Sequence, residues 1–119
     1  MAHYVDGFVL PVPKKNITAY QKMAKVAQKV WLDHGALDYR ECVLEDSKPE
    51  FGLTFPKGIL CKPSETVVFA YITFKSRKDR DRINAKVMQD PRLADMDPKK
   101  MPFDCARMLY GGFETLVGR

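Results

Sequence analysis

Residues 65–75, ETVVFAYITFK, decide the fold of this chain. β-branched and aromatic side chains fill both alternating phases of this run, so neither side of the strand is predicted to face water. The stretch therefore predicts a central strand in a sheet that is covered on both faces. Ser76 follows directly, and Asp79 stands three residues later at the capping-box position of a helix. Ile83 and Val87, with Met88 as a third candidate, are then the expected core side chains of that helix.

Strands and helices alternate on both sides of this run. Three further segments have the composition of strands: 3–12 (HYVDGFVLPV), 37–45 (LDYRECVLE) and 106–117 (ARMLYGGFETLV). Residues 17–34 instead carry apolar side chains at every third or fourth position, which is typical of an amphipathic helix. The order strand, helix, strand, strand, helix, strand predicts a ferredoxin-like α+β fold, βαββαβ, with a four-stranded antiparallel sheet and both helices on one face. The length predicts a single domain spanning residues 1–119.

Three local features refine this arrangement. Asn16 or Thr18 is the expected cap of the first helix. The 18 residues 46–63 form a long loop between the second and third strands, and their apolar side chains predict packing as a short hairpin or across a partner subunit. Gly111 and Gly112 within the last strand predict a bulge or a close backbone approach.

Composition argues against several classes of function. The net charge is +5, but the run 77–82, RKDRDR, mixes both signs and is typical of a solvated helix face, so nucleic-acid binding is not favoured. The three cysteines and two histidines form no metal-binding spacing, and no cofactor or metal is predicted. No apolar run reaches the ~18 residues of a membrane span. The N-terminus lacks the features of a secretory signal, and the thiols fit a reducing cytoplasm.

The distribution of apolar residues predicts self-association. The two helices can cover only one face of the sheet, yet the strands at 3–12, 65–75 and 106–117 are apolar in both phases. An uncovered second face would expose more apolar surface than monomers usually tolerate. We therefore expect a homodimer in which two sheets pack face to face.

The candidate ligand-binding side chains are His34, Tyr39, Asp6, Arg107, Tyr71 and Tyr110. Asp6 lies mid-strand among apolar neighbours and needs a partner if buried, for which Arg107 on the adjacent last strand is the candidate. His34 ends the first helix beside acidic residues and is a candidate general base. The three tyrosines need hydrogen-bond partners if buried. Each candidate also has a purely structural interpretation. Asp6 and Arg107 would form a structural ion pair, His34 would be an ordinary helix-end histidine, and the tyrosines would pack across strands.

Five segments resemble the YbaA-like bacterial proteins, a domain-of-unknown-function family, over nearly the whole chain: YVDGFVLPVP (4–13), HGALDYREC (34–42), ETVVFAYITFKSR (65–77), RDRINAKVMQDPRL (80–93) and MPFDCARMLYGGFETLV (101–117). The resemblance implies the dimeric α+β barrel superfamily, which holds cofactor-free monooxygenases and small-molecule-binding dimers. Some relatives carry a label that links them to signal-recognition-particle RNA. The resemblance supplies no catalytic residue.

Two functional hypotheses stay open, and a third ranks behind them. The first is a homodimeric cytoplasmic protein that binds a small molecule in a cleft between sheet and helices, near His34 and Tyr39, with or without cofactor-independent catalysis. It fails if Trp31, Tyr20 and Met23 fill the space beneath the first helix. The second is a non-catalytic structural or interaction dimer without a cleft. The third is RNA binding, which requires a continuous positive stripe.

Overall fold

A computed structural model describes residues 3–48, 52–94 and 96–118. The helices and strands, in chain order, are β1 (Tyr4–Pro13), α1 (Ile17–Asp33), β2 (Asp38–Val43), α2 (Phe55–Gly58), β3 (Glu65–Phe74), α3 (Arg77–Met88) and β4 (Leu109–Glu114). The sheet has the order β2-β3-β1-β4, and every neighbouring pair of strands is antiparallel. The ferredoxin-like α+β fold predicted from the sequence is confirmed.

The sheet has two distinct sides, because α1 and α3 pack against the same one. We call that side the helix face and the opposite side the open face. On the helix face, Phe74 of β3 packs with Val30 of α1 and Ile83 of α3, and none of these three side chains is exposed. A second cluster joins Leu10 of β1 to Tyr20 of α1. The core of the chain therefore lies between the helix face and the two helices. Met88, the third candidate core side chain of α3, is 72% exposed at the end of the helix, so that expectation is wrong.

The start of α1 differs from the expected cap. Asn16, one of the two expected residues, occupies the N-cap position, but its side chain makes no capping hydrogen bond, so the expected capping interaction is wrong. The Asn16 Nδ2 instead donates to the Pro102 carbonyl oxygen at 3.0 Å. This bond fastens the segment before β4 to the start of α1. At the other end the helix stops at Gly35, whose φ of 113° favours glycine.

The connection from β2 to β3 holds the short helix α2 in place of the expected hairpin. Thr54 Oγ1 accepts a hydrogen bond from the Lys57 amide at 3.3 Å, which caps α2, and α2 contacts β3 of its own chain. Residues 49–51 of this connection lie outside the described residues. Pro11 and Val67 are paired in register at this end of the open face, and both are buried.

The last strand is shorter than the predicted 106–117. The Asp104 side chain accepts a hydrogen bond from the Ala106 amide at 3.0 Å, so residues Cys105–Arg107 form a 3₁₀ turn before β4 begins. The expected position of Arg107 on the strand is therefore wrong. The second strand is likewise Asp38–Val43 instead of 37–45.

The glycines of β4 permit close packing and produce no bulge. Pairing of β4 with β1 runs without interruption, and Gly111 lies opposite Gly7. The Phe113 ring lies over both of these glycines on the open face. On the helix face, a Cβ atom at Gly112 would overlap the Tyr4 hydroxyl. Close approach, the second of the two expected explanations, therefore accounts for these glycines.

Candidate functional site

A cavity of about 170 Å³ lies between α1 and the helix face. Its walls come from α1 (Tyr20, Met23, Ala27, Trp31), from the sheet (Phe8, Leu10, Tyr39, Glu41, Ala70, Ile72) and from the segment before β4 (Met96, Phe103, Met108). Trp31, Tyr20 and Met23 therefore line the space beneath α1 and do not fill it. The Phe103 ring meets the Tyr20 ring edge-on at 5.6 Å, in the segment that Asn16 fastens.

Glu41 is the only charged side chain among those lining residues. It lies on β2, an edge strand, and points to the helix face in the same phase as Tyr39. The Tyr39 hydroxyl donates to Glu41 Oε2 at 2.6 Å, and the Tyr20 hydroxyl donates to Oε1 from α1. Each carboxylate oxygen therefore receives one phenolic O–H.

The environment keeps both phenols protonated. Burial raises the pKa of the Tyr20 hydroxyl far above its usual value, and the negative charge and hydrogen bonding of Glu41 raise it further. Burial is also the largest cause that raises the pKa of Tyr39, and the charge and hydrogen bonding of Glu41 again add to it. Both hydroxyls therefore remain donors to the Glu41 carboxylate at any physiological pH.

Glu41 also borders an outer groove between α1 and β2. One part of the groove, about 220 Å³, is lined by Tyr20, Ala24 and Glu41 among others, and a second part, about 320 Å³, by Ala24, Tyr39 and Glu41 among others. The side chains of Tyr20, Glu41 and Tyr39 therefore form the wall that separates the groove from the cavity.

A second polar cluster lies on the helix face around Asp6, whose exposed fraction is 1%. Arg107 was predicted to be the partner of Asp6, and this prediction is wrong. The Arg80 Nε of α3 lies 3.8 Å from Asp6 Oδ1, and Asn84 Nδ2 donates to Oδ2 at 3.4 Å. Burial raises the pKa of Asp6, and the Arg80 charge only partly offsets this.

This cluster contacts the cavity wall through one hydrogen bond. The Trp31 Nε1 donates to Asn84 Oδ1 at 2.9 Å, so the indole that lines the cavity is held by the same amide that binds Asp6. The Arg80 guanidinium donates to the hydroxyls of Tyr4 and Tyr110 at 3.1 and 3.2 Å. The candidate Tyr110 therefore belongs to this cluster and does not line the cavity.

Arg107 forms an ion pair with Glu65 at the start of β3. Its Nη1 lies 2.6 Å from Glu65 Oε2, and its Nη2 donates to the Leu60 carbonyl oxygen at 2.9 Å. Hydrogen bonding from Arg107 is the main cause that lowers the pKa of Glu65. Arg107 thus fixes the turn before β4 against β3 and the end of the long connection, away from the cavity.

His34 and Tyr71 also lie outside the cavity. The His34 Nε2 is 2.8 Å from Asp90 Oδ2 beyond the end of α3, and hydrogen bonds from Arg92 are the main cause that lowers the pKa of Asp90. Tyr71 is on the open face, where its hydroxyl donates to Asp38 Oδ2 at 3.4 Å.

Of the six sequence candidates, only Tyr39 reaches the cavity. Sequence reasoning placed Tyr20 beneath the first helix without assigning it a polar role, and it missed Glu41. The shared strand phase of Tyr39 and Glu41 was the available signal, but it does not say which helix residue lies opposite. Within the described parts of the chain, no group of three or more histidine, cysteine, aspartate or glutamate side chains is placed to hold a metal ion. None of the helices in those parts is long and apolar enough to cross a bilayer.

Sequence comparison places the chain in a family. The model of a family described as "Protein of unknown function (DUF1428)" matches residues 3–105. The chain belongs to this family. A DUF1428 relative from Escherichia coli K12, "Uncharacterized protein YbaA", is 40% identical over 114 residues, which are 96% of this chain and 97% of the relative. The protein of the same name from Shigella flexneri matches equally. The resemblance to YbaA-like proteins is thus confirmed.

Solved structures share the fold of this DUF1428 chain at low sequence identity. A dimeric ferredoxin-like protein from an uncultured marine organism has a TM-score of 0.58 at 12% identity, and 100% of each chain is covered. A NIPSNAP family protein of unknown function from Agrobacterium tumefaciens also has 0.58, at 17% identity, covering 95% of this chain and 87% of its own. A putative antibiotic biosynthesis monooxygenase from Nitrosomonas europaea has 0.50 at 14% identity, covering 96% and 90%.

Proposed function

We propose that this protein is a cytoplasmic homodimer that binds a small, largely apolar molecule in the cavity between α1 and the sheet. The observation that carries the proposal is the cavity itself, an apolar space with one carboxylate in its wall. Ligand sites are typically apolar spaces with a few convergent polar groups. Placement in the cytoplasm is supported by the exposed Cys42 thiol, which suits a reducing compartment.

The volume of the space beneath α1 suits a small ligand. An engineered apolar cavity of about 150 Å³ binds benzene, and the space beneath α1 is about 170 Å³. A molecule with one ring, or an aliphatic molecule of similar volume, therefore fits. Met23, Met96 and Met108 contribute flexible side chains that can adapt to the shape of such a guest.

Dimerisation is supported by the open face. Phe69, Leu109 and Phe113 are 48%, 55% and 59% exposed there, and Val5 and Val9 lie between them on β1. A contiguous apolar surface of this kind is typical of an interface, and a two-fold partner would bury the same patch on both chains. The fold neighbour from the marine organism is described as dimeric.

The sole tryptophan provides the test of ligand binding, because Trp31 lines the cavity. Toluene should change Trp31 fluorescence in a saturable way. Ala27→Phe fills the cavity from α1 and should weaken binding about tenfold or more. The matched control is Ala19→Phe, an exposed position two turns earlier on the same helix, which should bind like the wild type. A lack of saturable response up to the solubility of toluene would favour the structural or interaction dimer.

A further inference from the structure

We propose that the ligand of this cavity carries a cationic amine, as a small aryl- or alkylammonium ion, whose N–H groups bind the Glu41 carboxylate. This inference rests on the proposed function and narrows it to a class of ligand. Three independent features of the cavity support it: its charge, its remaining hydrogen-bond capacity and its aromatic walls.

The charge of the cavity is uncompensated. Glu41 is the only charged residue in the lining, and across residues 3–48, 52–94 and 96–118 no lysine, arginine or histidine forms an ion pair with it. Lys25 and Arg40 border the outer groove beside Glu41 without pairing with it. A partly buried carboxylate gains most from a partner of opposite charge, whereas an anionic guest would be repelled.

The carboxylate also has acceptor capacity left. An ionised carboxylate has about four lone-pair sites, and the hydroxyls of Tyr20 and Tyr39 occupy one on each oxygen. These two bonds fix the orientation of the carboxylate and hold it ready to accept further donors. An ammonium group has up to three N–H donors and no acceptor, which matches a site whose phenols are already committed to Glu41.

Aromatic rings surround this end of the cavity. The Trp31 and Tyr39 ring centroids are 5.9 Å apart at an interplanar angle of 41°, and the Tyr20 and Phe103 rings meet edge to face. Aromatic faces attract cations through the ring quadrupole, and tryptophan does so most strongly. The Glu41 carboxylate with aromatic side chains beside it suits an ammonium head, and the remaining apolar lining suits the rest of the guest.

Two probes of nearly equal shape test the inference. Benzylamine is protonated at neutral pH, whereas benzyl alcohol is neutral and also has a donor. In Trp31 fluorescence titrations at neutral pH, benzylamine should bind about tenfold or more tightly than benzyl alcohol, as expected for a charge-assisted bond. Glu41→Gln should remove this preference and still bind benzyl alcohol. Glu45→Gln removes the same charge from an exposed position four residues on and should keep the preference.

The possible outcomes separate the two proposals. If benzyl alcohol and toluene bind but benzylamine binds no more tightly, the ammonium inference is overturned and the cavity proposal stands. If none of the three probes binds, both are overturned. A preference for benzylamine that survives in Glu41→Gln also overturns the inference. The probe comparison on the unaltered protein decides the question even where Glu41→Gln lowers stability, and thermal melting of each variant reports that loss separately.

Discussion

The Trp31 indole nitrogen donates to the Asn84 side-chain oxygen at 2.9 Å and thereby joins α1 to α3 above the sheet. The same amide donates to the buried Asp6 carboxylate at 3.4 Å. The Asn84 side chain thus hydrogen-bonds both to Trp31 in the cavity wall and to the buried Asp6. The orientation of the Trp31 ring between α1 and the sheet therefore depends on these hydrogen bonds as well as on apolar packing.

Asn84→Ala should lower the free energy of unfolding by about 1–3 kcal/mol, because the half-buried Trp31 N–H and the buried Asp6 carboxyl group each lose a hydrogen-bond partner. Chemical denaturation measures the change. Lys78→Ala, at an exposed position of the same helix, should change it by less than about 0.5 kcal/mol. Equal effects of the two substitutions would contradict a structural role for the amide.

Asp6 should give stability a defined pH dependence. Because burial raises the pKa of Asp6 above its usual value of 3.8 in the folded state, the folded chain retains a proton at pH values between the usual and the raised pKa, where the unfolded chain has released it. Stability contributed at Asp6 is therefore greatest below 3.8 and falls as pH rises through the elevated pKa. The cost of Asp6→Asn relative to wild type should then shrink between about pH 4 and pH 7. A cost that grows over this interval in denaturant titrations would refute the assignment.

The two phenols that bind Glu41 should matter more than a phenol of the open face. Tyr20→Phe and Tyr39→Phe each remove one donor to a charged acceptor and should cost about 1.5–3 kcal/mol. Tyr71→Phe removes the same atom, but the 3.4 Å bond from Tyr71 to Asp38 is long, so its cost should be smaller. Thermal or urea unfolding of the three variants gives the comparison. Equal losses of unfolding free energy in the three variants would show that the hydrogen bonds to Glu41 contribute no more to stability than the Tyr71 bond.

Phe113 should control the oligomeric state. Its ring is the most exposed of the three large open-face side chains considered above, so Phe113→Glu should convert the proposed dimer to a monomer of 13.6 kDa. Met88→Glu adds the same charge at a residue of α3 that is 72% exposed on the helix side and should remain dimeric. Sedimentation velocity at micromolar concentration distinguishes the masses. A wild-type chain that is monomeric under these conditions would disprove the dimer.

The architecture was readable from the sequence because strand phase and helix period are local properties. The run 65–75 gave the central strand within one residue, and Ser76 caps α3 through the Asp79 amide as its spacing predicts. Contacts between elements were not readable in the same way. Asp6 was expected to need a partner if buried, and Arg107 was the candidate. Its partner is Arg80 of α3, because the path of a helix over the sheet depends on packing of the whole core.

The candidate site shows the same limit. Tyr39 was identified, and Glu41 shares its strand phase, yet a glutamate on an edge strand usually faces water. Only the placement of Tyr20 on α1 above it turns this glutamate into the polar end of a cavity. Arg107 was placed on the wrong element because the Asp104 side chain forms a turn that delays the start of β4. Side chains that meet across elements are determined by tertiary structure.

The most direct measurement of the central claim is a methyl-¹³C methionine NMR titration with toluene. Met23, Met96 and Met108 line the cavity, whereas Met88 is 72% exposed at the end of α3. If toluene binds beneath α1, the three cavity methyl groups should show saturable chemical-shift changes with a common dissociation constant, and the Met88 methyl group should show none. Unchanged cavity signals, or equal changes at Met88, would contradict a ligand site beneath α1.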